Sequence, residues 1–267
     1  MKFLLPLLVA LFMVPARAAE AAPDYAAALA GEHRSEANRA RDSWRHPAET
    51  LAFFGLEPGM TVVELSPGGG WYTEVLAPLL KDEGTLYAAH FDVNGSAYGR
   101  RSLGGFLRKL GADNDVYGNV IVSTLAPPTT FDIAPAGSAD LVLAFRNVHS
   151  WLRGDALAPV FAAAFEALKP GGVFGVVQHR APEGRSLEAM KNTGYVTEAT
   201  VIAAAEAAGF ELADSADINA NPKDSADYPE GVWTLPPTLA LGDTDRERYA
   251  AIGESDRMTL KFVKPAS

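Results

Sequence analysis

The sequence predicts an α/β fold, a mostly parallel sheet with helices on both faces. Three observations carry that expectation. Short β-branched or apolar runs alternate with segments of helical periodicity, the pattern of strand–helix–strand units. A glycine-rich turn, Ser66-Pro67-Gly68-Gly69-Gly70, joins the first such run to the first such helix. Asp140 to Phe145 is apolar at nearly every position, as in a strand covered on both faces.

Composition narrows the classes. The chain has 267 residues, 48% of them hydrophobic and 21% charged, which suits a globular core. Thirty-three acidic residues against 23 basic ones give a net charge of −10. A chain that acidic is a poor partner for a phosphate backbone, so no nucleic-acid binding is expected. Cysteine is absent, which removes disulfides, thiolate metal sites and a cysteine nucleophile.

The elements follow in order. Met1-Lys2 is a positive start, Phe3 to Val14 is an apolar run broken only by Pro6, and Ala16-Arg17-Ala18 carries small residues where a signal peptidase reads. Residues 1–18 are therefore expected to be a secretory signal peptide. The run falls short of the ~20 residues that span a bilayer. The mature chain is expected to keep no membrane anchor and to be periplasmic or secreted. Residues 19–46 read as an N-terminal helical extension. Ala19 to Ala30 is its alanine-rich lead-in, and Gly31 to Trp44 is a polar, exposed helix. The main domain is expected over 47–267. Pro47 suits a first helical position after His46 as cap, Leu51, Phe53 and Phe54 give the short helix its apolar side, and Gly55 ends it.

Thr61 to Leu65 is the first strand. Trp71, Val75, Leu76 and Leu79 mark the helix after the glycine turn. Thr85–Ala89 is a second strand, Phe106–Leu110 a helix, Asn119–Ser123 a third strand and Asp140–Phe145 a fourth. The helix through Leu157, Val160, Phe161, Phe165 and Leu168 stops at Lys169-Pro170-Gly171-Gly172, before a fifth strand over Val173–Val177. Thr197 caps a helix to Ala208, with Gly209 as its stop. Phe210–Ala213 and Met258–Val263 are the last strands. Between them lies a long loop insertion, residues 219–255, rich in Pro, Gly and Asp; such loops are often functional.

In an open parallel sheet the first strand-to-helix turn faces the ligand crevice. Gly68 and Gly70 are followed by Thr73, so the nicotinamide-dinucleotide fingerprint fails at its third glycine. No Gly-Lys-Ser/Thr ending makes a Walker phosphate loop. Glu64, at the strand's end, is placed to accept from a ligand ammonium.

At these residues the sequence resembles the class I S-adenosylmethionine-dependent methyltransferases, and more narrowly an exported bacterial group of predicted methyltransferases. The resemblance rests on Arg45 to Thr50, Glu64 to Tyr72, Phe145 to Trp151, Leu168 to Gly172, His179 to Ala181, Asn221 to Asp224 and Gly231 to Pro237. It implies a Rossmann-like seven-stranded sheet of order 3-2-1-4-5-7-6 with the last strand antiparallel. It also implies S-adenosylmethionine as cofactor and a small-molecule substrate. Glu64, Ser66, Gly68 and Gly70 match the first cofactor motif, Ser66 replacing its usual first glycine. His90 stands where the family has its ribose-binding acid, and Asp92 is displaced by two. Ser123-Thr124-Leu125 has no acid for the adenine.

Residues just after the fourth and fifth strands are the catalytic candidates: Asn147, His149, His179 and Arg180. Either histidine could take a proton near neutral pH, and Arg180 could clamp a carboxylate or phosphate. A three-histidine metal site with His90 is not expected, because strand spacing sets His90 roughly 10 Å away. Trp71, Tyr72, Trp151 and Trp233 could line an aromatic pocket. Arg39, Arg41 and Arg45 could cover its mouth, although a solvated helix face is the expected reading. An exported small-ligand-binding protein, or a non-methylating enzyme on the same fold, is the alternative. The oligomeric state is left open.

Overall fold

The computed structural model describes residues 22–266, so the expected signal peptide, residues 1–18, lies outside the described residues. The strands are β1 (Thr61–Leu65), β2 (Thr85–His90), β3 (Val120–Ala126), β4 (Thr130–Asp132), β5 (Ala139–Phe145), β6 (Leu168–His179), β7 (Glu211–Ala216) and β8 (Arg257–Val263). They form one sheet of order β4-β3-β2-β1-β5-β6-β8-β7. β8 runs antiparallel to both β6 and β7. Setting β4 aside, this is the expected order. The expected strand count of seven is corrected to eight, because Thr130–Asp132 folds back antiparallel onto the end of β3. Three residues carry too little periodicity to announce a strand.

The helices are α1 (Tyr25–Ala30), α2 (Glu36–Arg39), α3 (Asp42–Arg45), α4 (Pro47–Phe54), α5 (Thr73–Leu80), α6 (Ala97–Ala112) and α7 (Asn114–Tyr117), then α8 (Val148–Arg153), α9 (Leu157–Ala167), α10 (Leu187–Thr193), α11 (Glu198–Ala207) and α12 (Arg246–Ile252). Alternation along the central strands builds the two faces. Val62, Leu141 and Leu143 pack with residues of α1, α4 and α5. Val63, Val142 and Ala144 pack with α8, α9 and α11. That period of two, both sets buried, is why β5 reads as a continuous apolar run. Close approach shapes one contact: a Cβ at Gly175 of β6 would lie 2.7 Å from the Phe54 ring, so only glycine lets α4 sit this near the sheet.

Four local expectations are corrected. The single exposed helix over Gly31–Trp44 is instead two short helices, α2 and α3, and Arg34 and Arg45 are buried. His46 takes a left-handed conformation and makes no side-chain cap bond. α6 starts nine residues before Phe106, where the Ser96 side chain accepts from the Gly99 N–H; Gly99, Gly104 and Gly105 lower the helix propensity and hide it from the sequence. The insertion at 219–255 holds a 3₁₀ turn, Gly231–Thr234, and α12. Buried Asn219 pins it by donating to Thr50 Oγ1 and Thr259 Oγ1, both at 3.0 Å. Asn221 donates to the carbonyls of Ile252 and Glu254 at 2.9 and 2.7 Å.

The N-terminal segment is clamped to the start of α5. Arg34 pairs with Asp42 through two 2.7 Å bonds, Trp71 Nε1 donates to Asn38 O at 3.1 Å, and Asn38 donates to the Glu74 carboxylate. These contacts bring Arg41 and Arg45 to the C-terminal edge of the sheet. Among the described residues, no helix is long and apolar enough to cross a membrane.

Candidate functional site

The site begins at the turn after β1. Ser66, Gly68 and Gly70 all take positive φ, at 50°, 59° and 76°. Glycine reaches that region freely, whereas an L side chain costs roughly 1–2 kcal/mol there. Ser66 thus takes a backbone shape that favours glycine. Ser66→Gly is expected to leave the fold intact and to move stability by less than about 1 kcal/mol, because relief of strain is opposed by the greater freedom of the unfolded chain; thermal unfolding checks this. A Cβ placed at Gly68 or Gly69 would meet nothing within 4 Å, so both face open space.

Three side chains brace the turn. Asn147, just past β5, donates from Nδ2 to Leu65 O at 3.0 Å and Ser66 O at 3.2 Å. His90, at the end of β2, accepts the Phe91 N–H at Nδ1 (2.8 Å), so its Nε2–H donates to Gly68 O at 3.1 Å. Burial holds His90 below its usual pKa. Glu64 accepts from Thr73 Oγ1 at 2.6 Å through Oε2, and the other carboxylate oxygen has no protein partner among the described residues. Burial pushes Glu64 up to about 7, against lowering by the Thr73 bond and by Lys109 and Arg146.

Three cavities meet here. The first, about 290 Å³, lies over the turn between Glu64, Gly68, Trp71, Tyr72 and the arginines Arg45 and Arg146. The second, about 360 Å³, shares Ser66, Gly68 and Asn147 and continues among Phe91, Tyr98, Leu125 and Trp151. The third, about 190 Å³, shares Arg41, Arg45 and Arg146 with the first and is closed by His179, Trp233, Pro236 and Ser255. The four aromatic residues singled out from the sequence therefore line a chain of cavities and not one pocket. Arg41 and Arg45 belong to it as well, which corrects the solvated-face reading; Arg39 stays exposed.

The other candidates fall differently. His149, buried in α8, lies 5.5 Å from His179 and 5.7 Å from Trp233 between ring centroids. Burial lowers it to about 4. His179 pairs through Nδ1 with Ser255 Oγ at 2.5 Å. Burial and the charges of Arg257 and Arg146 hold it well below its usual value, so it is neutral at neutral pH. Arg180 is not a clamp on the cleft: its guanidinium is committed to Glu198, Asp217 and Asp256 at 3.0–3.2 Å. Neither His90 nor Asp92 is among the residues that line these three cavities. Both His90 nitrogens are used by backbone, and Asp92 accepts from the Asn94 N–H at 2.8 Å in a local turn. Among the described residues, no group of three or more His, Asp or Glu could hold a metal ion.

Sequence reasoning passed over Arg146, Glu254 and Arg257. Arg146 stands immediately after the apolar run of β5, and a charge at that strand end was a usable signal. Glu254 and Arg257 gave none: they pair with each other three residues apart, but Arg41, Arg45 and the Trp44 carbonyl, which bring them to the cleft, lie 209–213 residues away.

No family model and no curated protein matches this sequence. Solved structures do match. A methyltransferase dependent on S-adenosylmethionine, from Aquifex aeolicus, is 17% identical at a TM-score of 0.54, over 84% of this chain and 93% of that one. The cyclase SpnF is 17% identical at 0.57, over 89% and 86%. A geranyl diphosphate methyltransferase in complex with S-adenosylmethionine is 15% identical at 0.53, over 91% and 96%. The chain has the fold of the class I S-adenosylmethionine-dependent methyltransferases.

Proposed function

We propose that the protein is an S-adenosylmethionine-dependent methyltransferase that acts on a small molecule in an exported compartment. The observation that carries this reading is the left-handed turn at Ser66, Gly68 and Gly70, open on its cleft side, where a mostly apolar cavity joins a polar one. The residues fit the donor. Phe91, Leu125 and Trp151 offer flat apolar walls to an adenine ring, and Gly68 lets the backbone approach the ligand closely. Glu64, braced by Thr73, has an oxygen free for the donor's ammonium. The signature at residues 1–18 supports export.

When bound, S-adenosylmethionine supplies an electrophilic methyl group. The chain's own part is to position the acceptor, exclude water and take a proton. With Ser255 holding Nδ1, the His179 imidazole is neutral and can accept the acceptor's proton at Nε2 when the Ser255 oxygen accepts from Nδ1–H. Burial makes it a weak base, so its contribution lies below the usual range for general bases. His179→Gln is expected to slow formation of S-adenosylhomocysteine about tenfold while donor affinity is unchanged. A fall in donor affinity of the same size would assign His179 to binding instead.

Calorimetric titration of the protein without residues 1–18 tests the reading. Binding of S-adenosylmethionine with Kd on the order of micromolar supports it, and no heat at millimolar donor rejects it. A non-methylating enzyme remains the second reading. It is favoured by the end of β2, where His90 offers no acid to a ribose, and the SpnF neighbour is itself named a cyclase. Donor binding without a methylated product from any acceptor would select it.

A further inference from the structure

Positive charge is concentrated in a cleft of an otherwise acidic chain. Glu254 is shared by three arginines: Arg41 at 2.6 Å, Arg45 at 2.9 Å and Arg257 at 3.2 Å. A fourth, Arg146, lines the same two cavities as Arg41 and Arg45. Among the described residues, no hydrogen bond or ion pair engages its guanidinium, and its backbone takes a left-handed φ of 63°. Arg45 is 3% exposed, and its Nη1 is buried without a hydrogen-bond partner. Two carboxylates, Glu254 and, across the first cavity, Glu64, thus stand among four guanidinium groups, two of which hold unused donors. The neighbouring Asp256 is already engaged by Arg180 at 3.0 Å. Buried donors left without acceptors are costly, and buried like charges repel.

The donor does not resolve this imbalance. Its sulfonium and ammonium outweigh its single carboxylate, so it brings a further positive charge to the cleft. An anionic second ligand would supply the missing negative charge.

We propose that the acceptor is a small organic anion whose carboxylate or phosphate end lies between Arg45 and Arg146. Its apolar body lies against Trp233, Pro236 and Pro237, which close the third cavity. Guanidinium groups suit this role because their paired N–H donors match oxyanions. The word acceptor rests on the methyltransferase reading; the anion site does not.

The experiment uses benzoate and phenyl phosphate as probes, with benzamide and phenol as their uncharged counterparts. Each is titrated calorimetrically into the protein, with and without saturating S-adenosylhomocysteine. At least one anion is expected to bind about tenfold or more tightly than its neutral counterpart. Arg146→Gln is expected to reduce anion affinity at least tenfold and to change S-adenosylhomocysteine affinity less than about twofold. Equal binding of charged and neutral probes overturns the proposal and needs no variant to be seen. So does an Arg146→Gln protein that loses S-adenosylhomocysteine as strongly as the anion, which would assign the arginines to the donor carboxylate. If wild-type protein binds the anions through Arg146 but no S-adenosylhomocysteine, the anion site stands and the methyltransferase reading falls.

Discussion

Gly68→Val is expected to abolish binding of S-adenosylmethionine, with a loss on the order of a thousandfold or more, while the protein stays folded. Gly68 sits at φ 59°, and a β-branched residue is strongly disfavoured there. The new side chain would meet no protein atom within 4 Å of its Cβ. It would stand instead in the cleft, at the junction of the first two cavities. Strain of roughly 1–2 kcal/mol falls on the folded state, and steric exclusion falls on the ligand. Calorimetry read beside a thermal melt separates the two. A folded variant that binds the donor within tenfold of wild type would show that the turn is scaffolding.

Glu64→Gln is expected to act on affinity and stability in opposite directions. Glu64 is fully buried, and its carboxyl is raised from 4.5 to about 7. A group raised in the folded state contributes stability that is fully present below its unfolded pKa and is lost as pH rises through the folded one. Between pH 4.5 and 7 the wild-type protein therefore gives up about 3 kcal/mol on this account. Glutamine keeps an acceptor for Thr73 and carries no charge, so the variant should unfold several degrees higher at pH 8 and show no such difference at pH 4. Donor affinity should move the other way. Removing the carboxylate leaves a ligand ammonium without its partner in a closed site, a loss of about a hundredfold. In wild-type protein, affinity should also weaken as pH falls below about 7, where Glu64 protonates. A variant that is more stable and binds the donor undiminished would remove Glu64 from the donor site.

The strands and the glycine turn were legible because their signals are local. Val62 and Val63 point to opposite faces through a period of two, and Ser66 to Gly70 bends the chain through backbone freedom; both lie within a few residues of sequence. The Thr197 cap is equally local, its side chain accepting from the Thr200 N–H at 3.2 Å. The site was legible only in part. Asn147 and His179, picked out for their places at strand ends, do line the cavities, but Arg180, one residue on, turns to Asp217 and Asp256 and leaves the cleft. Alternation along β6 puts successive side chains on opposite sides, yet which side meets a ligand depends on what the insertion at 219–255 covers. The same holds for His90. Its place in the chain is that of a ligand residue, and its tertiary role is to hold the Gly68 carbonyl.

By itself the sequence determined the α/β class, the order in which strands and helices form, the glycine turn with Glu64 at its root, and the absence of cysteine chemistry. These follow from side-chain period and backbone freedom, which act over short separations. Only the tertiary structure decided the charge of the cleft. Arg41 meets Glu254 across 213 positions and Arg45 meets it across 209, while Arg146 joins them from the end of β5. No local pattern encodes such a meeting. It exists because the N-terminal clamp on α5 and the insertion pinned by Asn219 and Asn221 both close over the same edge of the sheet, where they bring charges from distant parts of the chain together.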